Sequence, residues 1–276
     1  MSGALHDGII VALALVTSSL GSLGGLGGAI LLVPLLTFGD MTITQAAPLG
    51  LVSVIAGSVA AGRTQSQDGA VNHRFAVVTE LGATSGAVIG VVLSGAVSEE
   101  LLTWFLAGLA ILAALGGAIR KGVRWKPDAS LGANSVGEHR GSLSGVYRLH
   151  DQHVPYTPSR MPLGVGLMTI AGLVTGLAGV GGGFLKTPLS SEVMKLPAKV
   201  AAATSTFTIG LTASIALLLM AIDGRVVVSD AALVVLGSLV GGTIGSLLQR
   251  RLSPPVVRRT TSVVLVVIAV VMVVRA

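Results

Sequence analysis

The sequence predicts an all-α polytopic membrane protein with two inverted-topology repeats, each a glycine-broken (re-entrant) helical segment plus three transmembrane helices. Three observations support this fold class: the composition, a duplicated glycine cluster, and a charge bias that changes sign between the halves. Of the 276 residues, 52% are hydrophobic and only 11% are charged, and the mean hydropathy is +0.86. Continuous apolar runs are typical of membrane helices and lack the alternation of barrel strands.

The composition also excludes several classes of protein. The chain has no cysteine, which rules out disulfides, thiolate catalysis and cysteine metal sites. Its net charge of +6 is explained more simply by basic cytoplasmic loops than by nucleic acid, so the lipid bilayer is an expected partner and nucleic acid is not. No Lys or Arg precedes the first apolar run, and a cleaved signal peptide is therefore not expected.

A glycine cluster occurs once in each half, as GGLGG at residues 24–28 and as GVGGG at residues 179–183. Each cluster is followed by a leucine and a proline at matching offsets, namely Leu31, Pro34, Leu185 and Pro188. The apolar flanks of the first cluster, residues 8–20 and 29–38, are each roughly half of the ~20 residues that a span needs. The second cluster is flanked by the apolar residues 161–177 and 184–191, which are likewise interpreted as parts of one re-entrant segment. We therefore predict two re-entrant segments that glycine interrupts.

Three further apolar runs in each half predict transmembrane spans. In the first half they are residues 43–62, 75–97 and 101–119, and in the second half residues 198–222, 226–248 and 256–274. The predicted organisation is an N-terminal membrane repeat (1–119), a cytoplasmic linker (120–161) and a C-terminal membrane repeat (162–276). The linker is rich in basic residues, Gly, Ser, Asn and Pro, which predicts a mobile, water-exposed segment.

The two halves are related in sequence as well as in pattern. Pro34 and Pro188 are 154 positions apart, and three glycines spaced by four recur at an offset of 155. These glycines are Gly82, Gly86 and Gly90 in the first half and Gly237, Gly241 and Gly245 in the second. Internal duplication of this kind is typical of secondary transporters. Small residues along one face of a span predict helix-packing seams.

The distribution of charge predicts how the halves are oriented. Equivalent loops carry opposite charge biases, so the positive-inside rule places them on opposite sides of the membrane. If both glycine segments crossed the membrane, eight spans would form a parallel repeat with basic residues divided 11 to 7. If both segments are re-entrant, six spans remain, and only Arg225 and Arg275 lie opposite the linker. The second arrangement is favoured, with both termini outside and the linker in the cytoplasm.

The duplicated glycine motif, the Leu and Pro that follow it, the run Ala203-Thr204-Ser205 and the glycine seams together resemble the TauE/SafE sulfite exporter family. The resemblance implies a multi-pass permease of the cell (inner) membrane for small anions such as sulfite or organosulfonates. The first copy departs from the pattern at Ala29, where the second copy has Gly183, and at residues 47–49, which stand where the second copy has residues 203–205. The C-terminal half is therefore expected to supply more of any polar contacts.

A helix broken at glycine exposes its first N–H groups and the positive end of its dipole, which together can bind an anion. We therefore predict an anion site near the bilayer midplane, although the glycines could instead serve only close helix packing. Thr204 and Ser205 are the favoured hydroxyl donors, whereas Thr206 and Thr208 are expected to bond to their own helix. The predicted substrate-binding residues are Gly25, Gly27, Gly28, Gly179, Gly181, Gly182, Gly183, Lys186, Thr204 and Ser205.

Two charged residues lie inside the apolar segments and allow more than one interpretation. Lys186 could pair with the anion or extend to the cytoplasmic interface, and the second is favoured. Glu80 could carry a coupling proton or lie in the interface, and again the interface is favoured.

The predicted function is a secondary transporter, in the export direction, of small anions. An anion channel, an uptake permease for another anion and a non-transporting membrane scaffold remain alternatives. No nucleophile and base pair lies in the predicted spans, so an enzyme is not expected, nor is a cofactor or a metal. The sequence leaves open the substrate, coupling to a proton or another ion, and assembly as a homodimer.

Overall fold

The computed structural model describes residues 3–24, 27–39, 41–66, 71–119, 136–149, 152–249 and 254–275. Within these ranges the chain forms α-helices and one small antiparallel sheet. The first half contributes α1 (Gly3–Gly24), α2 (Ala29–Thr37), α3 (Ile43–Ser66), α4 (His73–Ser94) and α5 (Glu99–Ile119). The second half contributes α6 (Met161–Ala178), α7 (Gly183–Pro188), a π-helix (Leu189–Val193), α8 (Ala198–Ile222), α9 (Val228–Gln249) and α10 (Pro254–Arg275).

Six helices of the described chain are long and apolar enough to cross a membrane, which confirms a polytopic all-α membrane protein. They contain the candidate spans Leu5–Leu23, Ile43–Gly62, His73–Ser94, Met161–Ala178, Ala198–Ile222 and Val228–Leu248. The set differs from the predicted one in two ways. It includes the segments that precede the two glycine clusters, and, among the described residues, it does not include the predicted spans 101–119 and 256–274. α1 has 22 residues and α6 has 18, so the expectation of half-length flanks before each cluster is wrong.

α1 is longer than the apolar pattern indicated because small and polar residues continue it, whereas α6 closely matches the predicted residues 161–177. α1 begins in the polar N-terminal residues and includes Gly21 and Gly24 near its end. The flanks after the clusters are short, as expected: α2 has nine residues, and α7 has six before the π-helix of five. Each half therefore joins one full-length helix to one short helix through a glycine break.

The predicted glycine seams are confirmed, and each joins helices from different halves. α1 packs along α9, and α6 packs along α4. A methyl group on Gly86 would overlap the carbonyl oxygen of Thr169 in α6, and one on Gly241 would overlap the carbonyl oxygen of Leu15 in α1. Glycine is needed at these positions because the backbone of one helix lies directly against the backbone of the other.

The contacts also define the relative directions of the helices. Gly237 lies beside Val11 and Gly245 beside Ser19, so α9 runs parallel to α1. Gly82 lies beside Val165 and Gly90 beside Leu173, so α4 runs parallel to α6.

Two further helix pairs run in parallel. The hydroxyl of Ser238 donates to Ser53 Oγ at 2.8 Å, and Gly242 lies beside Gly57, so α3 runs parallel to α9. α4 and α8 are parallel as well. Asn72 N, at the start of α4, donates to Thr204 near the start of α8, and further along both helices Thr212 of α8 donates to Glu80 of α4.

Part of the linker forms a three-stranded antiparallel sheet. The expectation of a mobile, water-exposed linker is therefore wrong for the described residues. Its strands are β1 (Gly137–Glu138), β2 (Gly145–Leu149) and β3 (Gln152–Tyr156), in the order β1-β2-β3. Tyr147, Val154 and Tyr156 are buried in a cluster with Phe75 and Met194 of the helical body. Residues 120–135, 150 and 151 of the predicted linker lie outside the described residues.

Polar contacts attach this sheet to the start of α4. Asn72 Nδ2 donates to the carbonyl oxygen of Leu143 at 2.8 Å and to Tyr156 Oη at 3.1 Å. Burial raises the pKa of Tyr156 to about 12, so its hydroxyl stays neutral at ordinary pH. The β-branched and aromatic residues Val146, Tyr147, Val154 and Tyr156 are a signal for strands that the composition of the linker concealed.

Candidate functional site

The two glycine breaks meet inside the helical body. Gly27 adopts a φ of 76° and Gly181 a φ of 58°, backbone conformations that residues with a Cβ rarely adopt. A methyl group on Gly27 would lie 3.7 Å from the carbonyl oxygen of Gly181, and also within contact distance of Val54 and Ile209. Gly27 and Gly181 are thus brought together from the two halves. Gly25 lies outside the described residues.

A short helix starts at each break without a side-chain cap. The carbonyl oxygen of Gly28 accepts from Leu31 N at 3.1 Å and Leu32 N at 3.0 Å, which starts α2. The carbonyl oxygen of Gly182 accepts from Leu185 N at 3.0 Å and Lys186 N at 2.8 Å, which starts α7. The positive ends of both helices therefore point toward the region where the breaks meet.

The second break uses some of its own amides. Gly182 N donates to Thr175 Oγ1 at 2.7 Å, and Gly183 N donates to the carbonyl oxygen of Gly181. Gly179, at a φ of 66°, packs against the backbone of Ala47 in α3. In this conformation the amides of Gly182 and Gly183 have partners within the chain, so a ligand would have to displace or share those bonds.

A small cavity lies against the first break. Its volume is about 20 Å³, which is room for about one water molecule. The cavity is lined by Gly21, Ser22, Gly27, Gly28, Val54, Gly57, Ser58, Ala61, Thr206 and Ile209. Residues of α1, α3 and α8 thus enclose the space next to Gly27, and an anion of several heavy atoms would need that space to widen.

The structure separates the predicted hydroxyl donors. Thr204 Oγ1 accepts from Asn72 N at 3.0 Å, which ties Thr204 to the start of α4. Ser205 is buried, and its hydroxyl has no hydrogen-bond partner within the described part of the chain. Thr206 donates to the carbonyl oxygen of Ala202 and Thr208 to that of Ser205, as expected for hydroxyls that bond to their own helix. Thr206 nevertheless lines the cavity, a role that the sequence did not indicate.

Lys186 is buried inside the protein and paired, so the favoured expectation that it extends to the interface is wrong. Its side chain is 2% exposed, and its Nζ lies 2.8 Å from Glu80 Oε2 in α4. Lys186 Nζ also donates to Thr212 Oγ1 in α8, and Thr212 Oγ1 donates to the other carboxylate oxygen of Glu80. The interfacial location favoured for Glu80 is wrong as well, because the residue is only 9% exposed. The short α7 packs against α8, and from there Lys186 reaches both Glu80 of α4 and Thr212 of α8.

The chain is similar in sequence to known membrane proteins. Residues 10–272 match the family described as Sulfite exporter TauE/SafE. The chain belongs to this family. It is also 27% identical, over 253 residues, to the "Probable membrane transporter protein YunE" of Bacillus subtilis (strain 168), a match that covers 88% of this chain and 89% of the relative. No solved structure matches the chain.

Family membership confirms the resemblance that the glycine motifs indicated. The matched residues include both halves and both glycine breaks. The chain is a multi-pass membrane protein and a membrane transporter. The meeting of the breaks and the buried Glu80–Lys186 pair therefore lie in the interior of a transporter, where uncompensated polar groups are costly.

Proposed function

We propose that this transporter is a secondary carrier, working in the export direction in the cell inner membrane, for small anions such as sulfite or organosulfonates. The passenger is held between the two glycine breaks. The observation that carries the proposal is the approach of Gly27 to the carbonyl oxygen of Gly181, because it brings the starts of two short helices to one place. Helix starts favour anions through free N–H groups and the helix dipole, without a basic side chain.

The proposed architecture is a pair of inverted repeats, residues 1–119 and 162–276. The helix directions support it. α3 is parallel to α9, and α8 is parallel to α4. Helices α3 and α4 are joined by residues 67–72 alone, and helices with so short a connection pass through a bilayer in opposite directions. It follows that α3 and α8, which are equivalent in the two halves, are antiparallel, as an inverted repeat requires.

The path of the chain at the first break supports a re-entrant arrangement. A methyl group on Gly28 would lie 2.7 Å from the Cα of Ser18, so the chain turns back onto α1 after the break. α2 then leads to the start of α3, where Ile43 N donates to Glu99 Oε2 at 2.9 Å. The short helix thus returns toward the end of the molecule at which α1 began.

The narrow cavity fits a closed state of an alternating-access cycle. In carriers with inverted repeats, one repeat rocks against the other around a fixed central site. The contacts between α1 and α9 and between α4 and α6 join the two repeats and would have to rearrange in that motion.

Flux measurements with purified protein in liposomes test the proposed function. Sulfite, thiosulfate, organosulfonates and carboxylates are offered as a panel, and saturable counterflow of at least one sulfur oxyanion is expected. Ohmic conductance without counterflow would indicate an anion channel instead. The absence of both from a folded protein would leave a non-transporting scaffold.

Variants at the breaks test the location of the site. Gly27→Ala places a methyl group between the breaks at ordinary contact distances, and Gly182→Leu fills space that Ala171 and Thr175 now occupy. Both changes are expected to reduce anion affinity at least tenfold. Gly166→Ala is the control, because its methyl group would meet nothing within 4 Å. Full transport by folded Gly27→Ala and Gly182→Leu would remove the glycine breaks from the proposed site.

A further inference from the structure

The buried cluster joins Glu80 of the first half to Lys186 and Thr212 of the second, and the repeat does not supply the equivalent pair. At the offsets that relate the halves, Leu32 stands where the second half has Lys186, and Val235 stands where the first half has Glu80. The repeat therefore folds with apolar residues at both positions of the pair. A charge pair that the repeated framework does not require is a candidate for a function of its own.

The cluster is adjacent to the proposed anion site. Lys186 follows the second break by one turn of α7, and its amide donates to the carbonyl oxygen of Gly182 at 2.8 Å. Thr212 belongs to α8, which also supplies Thr206 and Ile209 to the cavity at the first break. An anion held between the breaks would thus be close to a buried ammonium group that at present is paired with a carboxylate.

Charge balance in this interior decides what an arriving anion requires. The lysine ammonium and the glutamate carboxylate together are neutral. A monovalent anion added to the pair would leave one uncompensated negative charge where charges are poorly solvated. If Glu80 takes up a proton as the anion arrives, the ammonium pairs with the anion, the carboxyl group is neutral, and the total charge remains zero.

We propose that Glu80 and Lys186 form a proton-coupling site, in which binding of one monovalent anion is accompanied by uptake of one proton. The inference rests on the proposed function. The proton passes from water to a carboxylate oxygen of Glu80, and Lys186 keeps its proton and changes partner from Glu80 to the anion. Thr212 positions both groups, since its hydroxyl now bridges them. Transport of a monovalent anion is then electroneutral. Because the proton and the anion move in the same direction, export requires an outward anion gradient that exceeds any inward proton gradient.

Few other ionisable groups face the pair. α6, which packs along α4, has no ionisable residue, and α8 has only Lys199 in its exposed first turn. His73 and Arg74 lie in the exposed first turn of α4, and the π-helix after α7 carries the exposed Glu192. Few other ionisable side chains could therefore compete with Glu80 for a proton at this site.

Calorimetric titration of the purified full chain with methanesulfonate tests the proposal, because this anion stays ionised across the working pH range. Titration in two buffers of different ionisation enthalpy counts the protons taken up. At pH values where Glu80 is ionised, the wild-type protein is expected to take up about one proton per anion. Its Kd for methanesulfonate is then expected to rise about tenfold for each unit by which the pH is increased. Glu80→Gln is expected to bind methanesulfonate with a Kd independent of pH and without proton uptake.

Glu100→Gln is the matched control, since Glu100 is exposed in the first turn of α5, and it is expected to behave as the wild type. Binding to the wild type without proton uptake would overturn the coupling and leave the proposed function intact. Undiminished proton uptake by Glu80→Gln would also overturn it. Absence of methanesulfonate binding at every pH would overturn the coupling as proposed, whereas the proposed function is decided separately by the flux panel. The proton count on the wild type decides the matter even if the variant does not fold.

Discussion

Lys186 belongs to a helix of six residues, yet its ammonium group contacts side chains from two other helices. Such a buried pair contributes little net stability, because the cost of removing both charges from water offsets their attraction. The loss of one partner is different, because it leaves the other charge buried and uncompensated. The cluster therefore restricts α7 to one position as long as both charges are present.

Removing one partner is expected to destabilise the protein more than removing both. Lys186→Met leaves Glu80 buried without its partner and is expected to lower the free energy of unfolding by about 3–5 kcal/mol at neutral pH. Adding Glu80→Leu to Lys186→Met is expected to recover most of that loss. Thermal unfolding in detergent compares the two variants with the wild type. Equal stability of the single and double variants would contradict this account of the pair.

Some residues of the candidate site could be identified from the sequence, whereas the partner of Lys186 could not. The glycines of both breaks were identified from their duplication, and Gly27 and Gly181 do meet. The partner of Lys186 is 106 positions away in the chain, so no local pattern could reveal it. One lone cation and one lone anion in separate apolar segments are nevertheless a signal, because charges inside membranes seldom remain unpaired.

Among the helices, α6 depends on close backbone contact along one face only. Gly172 lies against the backbone of Ala83 in α4, where a methyl group would overlap a carbonyl oxygen. Gly166, less than two turns earlier in the same helix, has open space around it. The glycines of one helix therefore divide into those that a neighbouring helix requires and those that it does not.

The same substitution at these two positions is expected to give opposite results. Gly172→Ala should force α6 away from α4 and lower the Tm by several degrees, because packed interiors relax only partly around an extra methyl group. Gly166→Ala should leave the Tm unchanged or slightly higher, since Ala is the better helix former. Equal effects of the two changes on the Tm would show that the seam between α4 and α6 is not closely packed.

Asn72 makes several polar contacts between the linker sheet and the helical body, in addition to the apolar cluster that buries Tyr147, Val154 and Tyr156. Asn72 donates to Leu143 and Tyr156, and its side-chain oxygen accepts from Phe75 N at 2.9 Å as the N-cap of α4. Asn72→Ala is expected to cost about 0.5–2 kcal/mol through the lost cap alone. Hydrogen exchange should then become faster in β2 and β3 and in the first turn of α4. Unchanged exchange in the two strands would mean that their apolar contacts hold the sheet in place.

The lengths of elements were less predictable than their existence. α3, α8 and α9 lie where the apolar runs predicted them. The predicted segment 8–20 is shorter than α1, because glycine and serine lower the apparent hydrophobicity of a segment without ending a helix that has a close neighbour. α6, by contrast, closely matches the predicted residues 161–177. The linker sheet was missed for a different reason. Its composition is that of a loop, and the few apolar side chains that bury it act through tertiary contacts.

Over the whole molecule, the helix directions and the positions of charge point to the same arrangement. The linker sheet lies at one end of the helical body, beside the starts of α4 and α6. The connection between α8 and α9 lies at the other end, where Arg225 donates to Ser94 Oγ at 2.8 Å. Most of the Lys and Arg residues belong to the linker end, and by the positive-inside rule we propose that this end faces the cytoplasm.

Single cysteines test this arrangement cleanly, because the natural chain contains none. Arg140→Cys in the linker and Ser229→Cys at the start of α9 are both exposed, and a membrane-impermeant maleimide should label them from opposite sides of the membrane. Ser246→Cys is the control, since its buried position should resist labelling from either side until detergent is added. The expected pattern follows from helix geometry as well as from charge, because α8 has to cross the membrane between the two labelled sites. Labelling of Arg140→Cys and Ser229→Cys from the same side would therefore exclude the inverted repeat, and with it a central site that opens alternately to the two compartments.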